Sequence, residues 1–401
     1  MIPTVAERVQ FRVDRFQYGR MVEEWGGRHI LHGRRPGPDD VLLNHDDYLA
    51  IAGDARITEA LCIALLADAG ASSDEPQIAM EQALAEYVRA PAGVLCQSGW
   101  EANTGLLQTI ADPRTPVYID SIAHMSLWHG AKMAGAPIHP FRHNFPGHLR
   151  EEIRTYGPGI IAVDSIYSTT GSRSPLAQMC DVAEQTGSLL VVDESRAIGT
   201  EGPHGAGMVV ALGLAERIPF RTASLSKAFV GRAGFVAVNG VDFVDYFKME
   251  AYPAVFSASP LPHEIAGLAA TLAVVRAEDS RRDRLRQISA RVRGALSALG
   301  FESCAAAGHI MALPGGSELR AIAIRDFLEA RGIFGTILCP PVTPRNRTLI
   351  RFAMHAALTD SQVDRIIQAC TEVRDTFGVL PPMPGAPRAD SAPIPTVDSN
   401  R

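Results

Sequence analysis

Two apolar runs that each stop abruptly at a polar residue constrain this chain more than any other feature. Leu189-Leu190-Val191-Val192 ends at Asp193, and a shorter β-prone run ends in Ser224-Leu225-Ser226-Lys227. Near-continuous apolar runs of this length read as strands buried on both faces, which is the habit of parallel sheet. In open α/β sheets, ligands bind beyond the carboxyl ends of the strands. Asp193 and Lys227 therefore belong to one such edge. Each residue alone also fits a plainer role, Asp193 as a helix cap and Lys227 as a loop charge, so the surrounding residues must carry the chemistry.

Strand and helix signals alternate around that pair. Strands are predicted over 93–96, 117–119, 160–163, 189–192, 221–225 and 235–238, with helices over 103–110, 124–133 and 177–185. Such alternation predicts an α/β large domain, 46–262, with a mainly parallel sheet and helices on both faces. A loop followed by a helix over 48–69 and an amphipathic helix over 76–88 lead into it. Residues 263–298 read as one Arg-rich connector helix with a solvated face. It opens a smaller α+β unit that ends near 380, with a strand near Ile310, a helix over 319–331, a strand over 349–352 and a helix over 360–377. Residues 1–45 carry apolar positions at loosely helical spacing (Val9, Val13, Phe16), followed by the breaker GRRPGPDD. They read as an arm laid on another surface, a partner subunit being one option. The Pro-rich, aperiodic stretch 381–401 reads as disordered.

Composition excludes several function classes. A net charge of −6 over 401 residues leaves no basic footprint for nucleic acid. No uncharged apolar run approaches the roughly 18 residues needed to span a bilayer. The start, MIPTVAERVQFRVDRF, lacks the apolar core of a signal peptide. Six cysteines lie far apart without metal-ligand spacing and read as reduced. Together these features predict a cytoplasmic globular protein.

Four further clusters fall at predicted strand ends. Ser98-Gly99-Trp100 opens a helix, where unpaired backbone N–H groups attract an anion and the indole can pack on a flat ligand. His124 follows the next strand and serves equally well over a ring, against a substrate, or as a helix cap. Asp164-Ser165-Ile166-Tyr167-Ser168 reaches the same edge as Asp193, or is a solvated loop. Arg351 ends TLIRF and offers a fork for a carboxylate, or an ordinary ion pair. Pyridoxal 5'-phosphate, a pyridine aldehyde, suits this set: it needs a lysine for covalent linkage and an acidic residue at its ring nitrogen.

The motifs QSGWEANTGLLQTI, YIDSIAHMSLWHGA, HPFRHN, GPGIIAVDSIYSTTG, VDES, GTEGPHGAG, TASLSKAF, RAGF, FSASPLP and GIFG occur in one order between about residues 40 and 375. In this the chain resembles the α-oxoamine synthases. These are fold type I, aspartate aminotransferase-like enzymes dependent on pyridoxal phosphate, which condense an amino acid with an acyl thioester. Within the family it most resembles the branch that makes α-hydroxyketone quorum-sensing signals. The resemblance implies an acyltransferase that releases carbon dioxide and yields an α-aminoketone, for a signal or a secondary metabolite, from acyl-CoA or acyl-carrier protein. It implies Lys227 as the cofactor-linking amine, Asp193 at the pyridine nitrogen and His124 over the ring. Ser98, Gly99, Trp100, Ser168 and Ser224 would face the cofactor and its phosphate. Ser257 and Ser259 would reach that phosphate from a neighbouring subunit, making a homodimer the functional unit. Arg351 would take the substrate carboxylate, with Asp46 and Tyr48 nearby.

Three departures from the family pattern stand out. Arg196 replaces a histidine near the cofactor's phenolic oxygen; it can donate to that oxygen but cannot trade a proton. Asp46 stands where an asparagine is usual, and the two changes are expected to pair or to select a different amino substrate jointly. ADAGASSDEPQ is shorter than the family's acyl-chain segment. These departures keep open a fold type I enzyme of another reaction type, such as a decarboxylase, aldolase or β-eliminating lyase. A non-catalytic partner subunit is a further reading, against which Lys227 argues.

Overall fold

A computed structural model of the chain describes residues 3–67, 75–301 and 308–380. The tail 381–401 and most of the ADAGASSDEPQ segment lie outside the described residues. In chain order the strands are β1 (Val41–Leu42), β2 (Ala92–Cys96), β3 (Val117–Asp120), β4 (Ile138–Phe141), β5 (Ile160–Asp164), β6 (Leu189–Asp193), β7 (Phe220–Ser224), β8 (Gly234–Val238), β9 (Ile310–Gly316), β10 (Ile333–Phe334), β11 (Thr336–Leu338) and β12 (Thr348–Ala353).

Strands β2 to β8 form one seven-stranded sheet in the order β2-β8-β7-β6-β5-β3-β4. All its neighbours run parallel except β8, which is antiparallel to both β2 and β7. Ile161, Val163, Val191 and Val192 have no exposed surface; each such side chain contributes about 1.5–3 kcal/mol by leaving water. One sheet face packs against helices Gly99–Ile110, Met125–Met133 and Asp242–Glu250. The other packs against Pro146–Tyr156, Leu176–Thr186 and Met208–Ala211. The predicted mainly parallel α/β sheet is what forms. The strand absent from the sequence reading is β4, IHPF, which lies at the sheet edge. Pro140 removes a ladder donor there, tolerated only at an edge, and it also erases the sequence signature of a strand.

The small C-terminal domain is an antiparallel sheet, β11-β12-β9, with helices Glu318–Glu329 and Asp360–Phe377. The predicted single connector helix is two, Pro262–Ala277 and Asp279–Ala298, broken at Glu278. Its Arg-rich face is only partly solvated. Arg282 is 1% exposed and donates to the Val275 carbonyl, closing the first helix. Arg281 donates to the carbonyls of Leu49 and Ala50 and so ties down the segment that enters the site.

The arm lies on this chain's own small domain from Arg20 onward. Arg28 pairs with Asp326 at 2.8 Å, Trp25 donates its indole N–H to Glu318, and β1 pairs in parallel with β10. Among the described residues no helix is long and apolar enough to cross a membrane. No disulfide forms among the described cysteines; Cys96, Cys180 and Cys370 are buried, whereas Cys62 is exposed.

Candidate active site

The carboxyl ends of β3, β5, β6 and β7 converge with the start of helix Gly99–Ile110 around a cavity of about 240 Å³. Lys227, Asp193 and His124 line it. So do Ser98, Gly99, Trp100, Ser168, Arg196 and Ser224. Ser257 and Ser259 do not; within one chain they line a separate cavity beyond the Gly99 turn, beside Gln97 and Glu101.

Each wall has a local cause. A Cβ on Gly99 would sit 2.4 Å from Ser224 Cβ, so only glycine lets the helix start press against the end of β7. Ser98 Oγ accepts from the Glu101 N–H at 3.2 Å and caps the helix. The N–H groups of Gly99 and Trp100, in the first turn, have no intrahelical acceptor, and the end of β7 lies beside them. There, Ser224 Oγ and Ser226 Oγ lie 2.8 Å apart. Asp193 ends β6 beside Thr222 and Asp164, its partners in register. Its Oδ1 accepts from the Ser195 N–H at 2.8 Å and its Oδ2 from Asn103 Nδ2 at 2.6 Å.

Charges inside the cavity are shifted by burial and by one another. Burial together with the Arg196 cation brings the Lys227 ammonium down to about 8, against the pull of Asp46 and Asp193. Burial and the nearby Asp193 drive Asp164 well above the usual carboxylate range. Loss of water lowers His124 against the pull of Asp193, with smaller contributions in the same direction from the cations of Lys227 and Arg196.

Arg196, on the cavity wall, belongs to an ionic cluster that joins the two domains; its other members, Asp46, Tyr48 and Arg351, do not line the cavity themselves. Arg196 Nη1 pairs with Asp46 Oδ1 at 2.5 Å and also donates to the Tyr48 hydroxyl. Arg351 Nη2 lies 3.7 Å from Asp46 Oδ1 and its Nη1 donates to the Ser168 carbonyl at 3.2 Å, while its buried Nε has no partner. Burial works to raise Asp46, but Arg196, Arg351 and Lys227 together pull it down to about 2. Tyr48 packs against buried His309 with ring centroids 4.2 Å apart and the rings tilted by 58°. Burial and nearby Arg196 drive His309 down to about 3. The two residues that depart from the family pattern therefore bond to each other.

Residues 70–370 match the family model for aminotransferase class I and II. The chain is 40% identical to the CAI-1 autoinducer synthase of Vibrio campbellii over 91% of its own length and 94% of that protein's. It is 33% identical to the 8-amino-7-oxononanoate synthase of Anaeromyxobacter dehalogenans, over 87% and 88% of the two chains. It is 30% identical to the serine palmitoyltransferase of Caulobacter vibrioides, over 86% and 89%. This chain belongs to the class I and II aminotransferases, within their α-oxoamine synthase branch. The fold of this α-oxoamine synthase is that of the Sphingomonas wittichii serine palmitoyltransferase, with a TM-score of 0.81 at 23% identity over 94% of this chain and 98% of that one.

The residues present fit pyridoxal phosphate, the cofactor of these synthases. Asp193 uses one lone pair of each oxygen on Asn103 and Ser195, which leaves acceptor capacity for a pyridinium N–H. The Gly99 approach and the hydroxyls of Ser224 and Ser226 form a cradle for an anion. Sequence reasoning did not single out Asn103, Ser126 and Ser195. Asp-x-Ser at a strand end was a legible signal for Ser195, since an aspartate there accepts from the N–H two residues on. Asn103 acts through partners distant in sequence and leaves no local trace, and Ser126, two residues from His124, gains its role from the bond to Asn103.

Proposed function

We propose that this α-oxoamine synthase joins an amino acid to an acyl thioester with loss of carbon dioxide, each side chain acting from the position described. The observation that carries the reading is Lys227, Asp193 and His124 on one cavity, with Arg351 donating to the carbonyl of Ser168, which lines it. Pyridoxal phosphate, when bound, supplies the electron sink that lets the amino acid's α-carbon act as a carbanion. Lys227 would hold the cofactor's aldehyde carbon, and its amine is placed to remove the α-proton. An ammonium brought down to about 8 makes it a competent base near neutral pH. Asp193 holds the proton on the pyridine nitrogen. Arg351 takes the α-carboxylate through its unpartnered Nε edge and orients the bond to be broken. His124, on the same cavity, would cover the cofactor ring and meet the thioester.

The same reading assigns the phosphate to Gly99, Trp100 and Ser224, with Ser98 shaping the turn and Ser168 holding Arg351 through its carbonyl. Ser257 and Ser259 are assigned to the phosphate of a second copy, so the working unit is a homodimer in the cytoplasm. Residues 46–262 and 263–380 serve as its large and small domains. CAI-1 autoinducer synthase relatives favour a signal precursor as product. The test is thiol release when the holoenzyme is mixed with a panel of amino acids and either acyl-CoA or acyl-carrier protein. Release that depends on both substrates and is absent in Lys227→Ala supports the reading. Consumption of the amino acid without thiol release refutes it and favours another fold type I reaction.

A further inference from the structure

His124 and Asp193 both line the cavity and are linked through two buried side chains, Asn103 and Ser126. Asn103, 1% exposed, stands one turn into the helix that begins at Gly99. Its amide nitrogen donates to Asp193 Oδ2 at 2.6 Å and to Ser126 Oγ at 2.8 Å. Its amide oxygen accepts from Thr222 Oγ1, on the strand that pairs with β6. The reverse amide orientation would set an oxygen against the Asp193 carboxylate and an NH₂ against the Thr222 hydroxyl, so the bonding network fixes the assignment.

That assignment propagates. Ser126, with no exposed surface, already accepts from Asn103, so its hydroxyl proton is directed to its other close neighbour, His124 Nδ1, at 2.6 Å. The Ser126 backbone N–H also points at Nδ1, at 3.4 Å. Both donors require a lone pair on Nδ1. The imidazole proton therefore sits on Nε2, the ring edge that none of the described hydrogen bonds engages, in a residue that lines the cavity.

We propose that Asn103 and Ser126 are positioning residues forming a two-ended brace, one end aiming Asp193 at the ring nitrogen and the other holding His124 as an Nε2–H donor toward the substrate's carbonyl or carboxylate oxygen. The brace deepens the condensation reading by making His124 a hydrogen-bond donor rather than a base. Proton removal is left to Lys227. A donor pre-aimed at oxygen stabilises charge that develops as the thioester carbonyl is attacked.

The experiment is a nitrogen spectrum of holoenzyme containing isotope-labelled histidine, with the His124 signals identified by their loss in His124→Asn. The wild type is expected to show a protonated Nε2 and an acceptor-type Nδ1; a protonated Nδ1 overturns the proposal outright, whatever reaction the enzyme runs. In Ser126→Ala the ratio of Nε2–H to Nδ1–H should fall about fivefold, the change that one net hydrogen bond carries. Its kcat should drop by about tenfold, as when the orienting partner of a functional histidine is removed, with cofactor affinity kept and Ser126→Thr restoring the rate. Asn103→Ala should weaken both cofactor affinity and kcat. An unchanged tautomer ratio in Ser126→Ala, or loss of cofactor affinity in Ser126→Ala equal to that in Asn103→Ala, would show packing rather than a brace.

Discussion

The two ends of the site are built from different physics. At the cofactor end, Asp193, Asn103, Ser126 and His124 are joined by short hydrogen bonds among elements of one sheet and its covering helices. At the proposed substrate end, Asp46, Arg196, Tyr48 and Arg351 are joined by two ion pairs and a hydrogen bond, and the Asp46–Arg351 pair crosses from the large domain to the small one. The segment carrying Asp46 and Tyr48 is held to the small domain, with Ala353 N–H on the Leu43 carbonyl at 2.9 Å and Ala356 N–H on the Tyr48 carbonyl at 2.8 Å. A hydrogen-bonded end fixes angles for one unchanging partner. An ionic end tolerates exchange of one carboxylate for another, which is what a site that admits and releases an amino acid requires. At 3.7 Å the contact of Arg351 with Asp46 is loose, and in its proposed role a substrate carboxylate would offer it a closer fork.

Four perturbations break or sharpen this contrast. Lys227→Ala acts on both ends and should abolish the visible absorbance of bound cofactor and lower turnover by at least about a thousandfold, as loss of a positioned acid–base group does. Arg351→Ala should affect the substrate end alone. The apparent KM for the amino acid should rise by a factor corresponding to about 2–5 kcal/mol, with cofactor absorbance retained. Asp46→Asn and Arg196→His should each destabilise the fold, since each strands one buried partner of the pair. Combined, they should recover activity on small amino acids better than either alone, with a coupling energy of about 1 kcal/mol or more in a double-mutant cycle. Strictly additive effects would mean the two residues act separately.

The fourth, and smallest, concerns pH. Asp46 is depressed to about 2 in the folded protein, so the stability it contributes is present above the ordinary carboxylate range and is lost as pH falls through about 2. Wild-type protein should therefore lose stability more steeply than Asp46→Asn as acid is added between about pH 4 and 2, measured by denaturant midpoint. Equal slopes would remove the ionic pairing from the stability account.

Much of this architecture was legible in the sequence because buried parallel strands announce themselves as apolar runs. The run 189–192 and its terminal Asp193 are a direct example. Strand β4 was not, because Pro140 belongs to a strand only by virtue of its edge position. The break at Glu278 was hidden by helix-forming residues on both sides, and it follows from Arg282 turning inward to close the preceding helix. In the site, residues at strand ends could be placed, and the joint departure at Asp46 and Arg196 suggested a pair that the fold brings together. The brace of Asn103 and Ser126 could not be read, because its meaning lies in contacts with Thr222 and Asp193 on strands remote in sequence.

The most direct measurement of the central claim uses an amino acid labelled in its carboxyl carbon, with label loss and thiol release followed in the same reaction. A site in which Lys227, Asp193 and Arg351 serve one condensation should release carbon dioxide and thiol in equal amounts, and neither without the thioester. Carbon dioxide released in the absence of thioester, at the rate seen in its presence, would contradict that assignment.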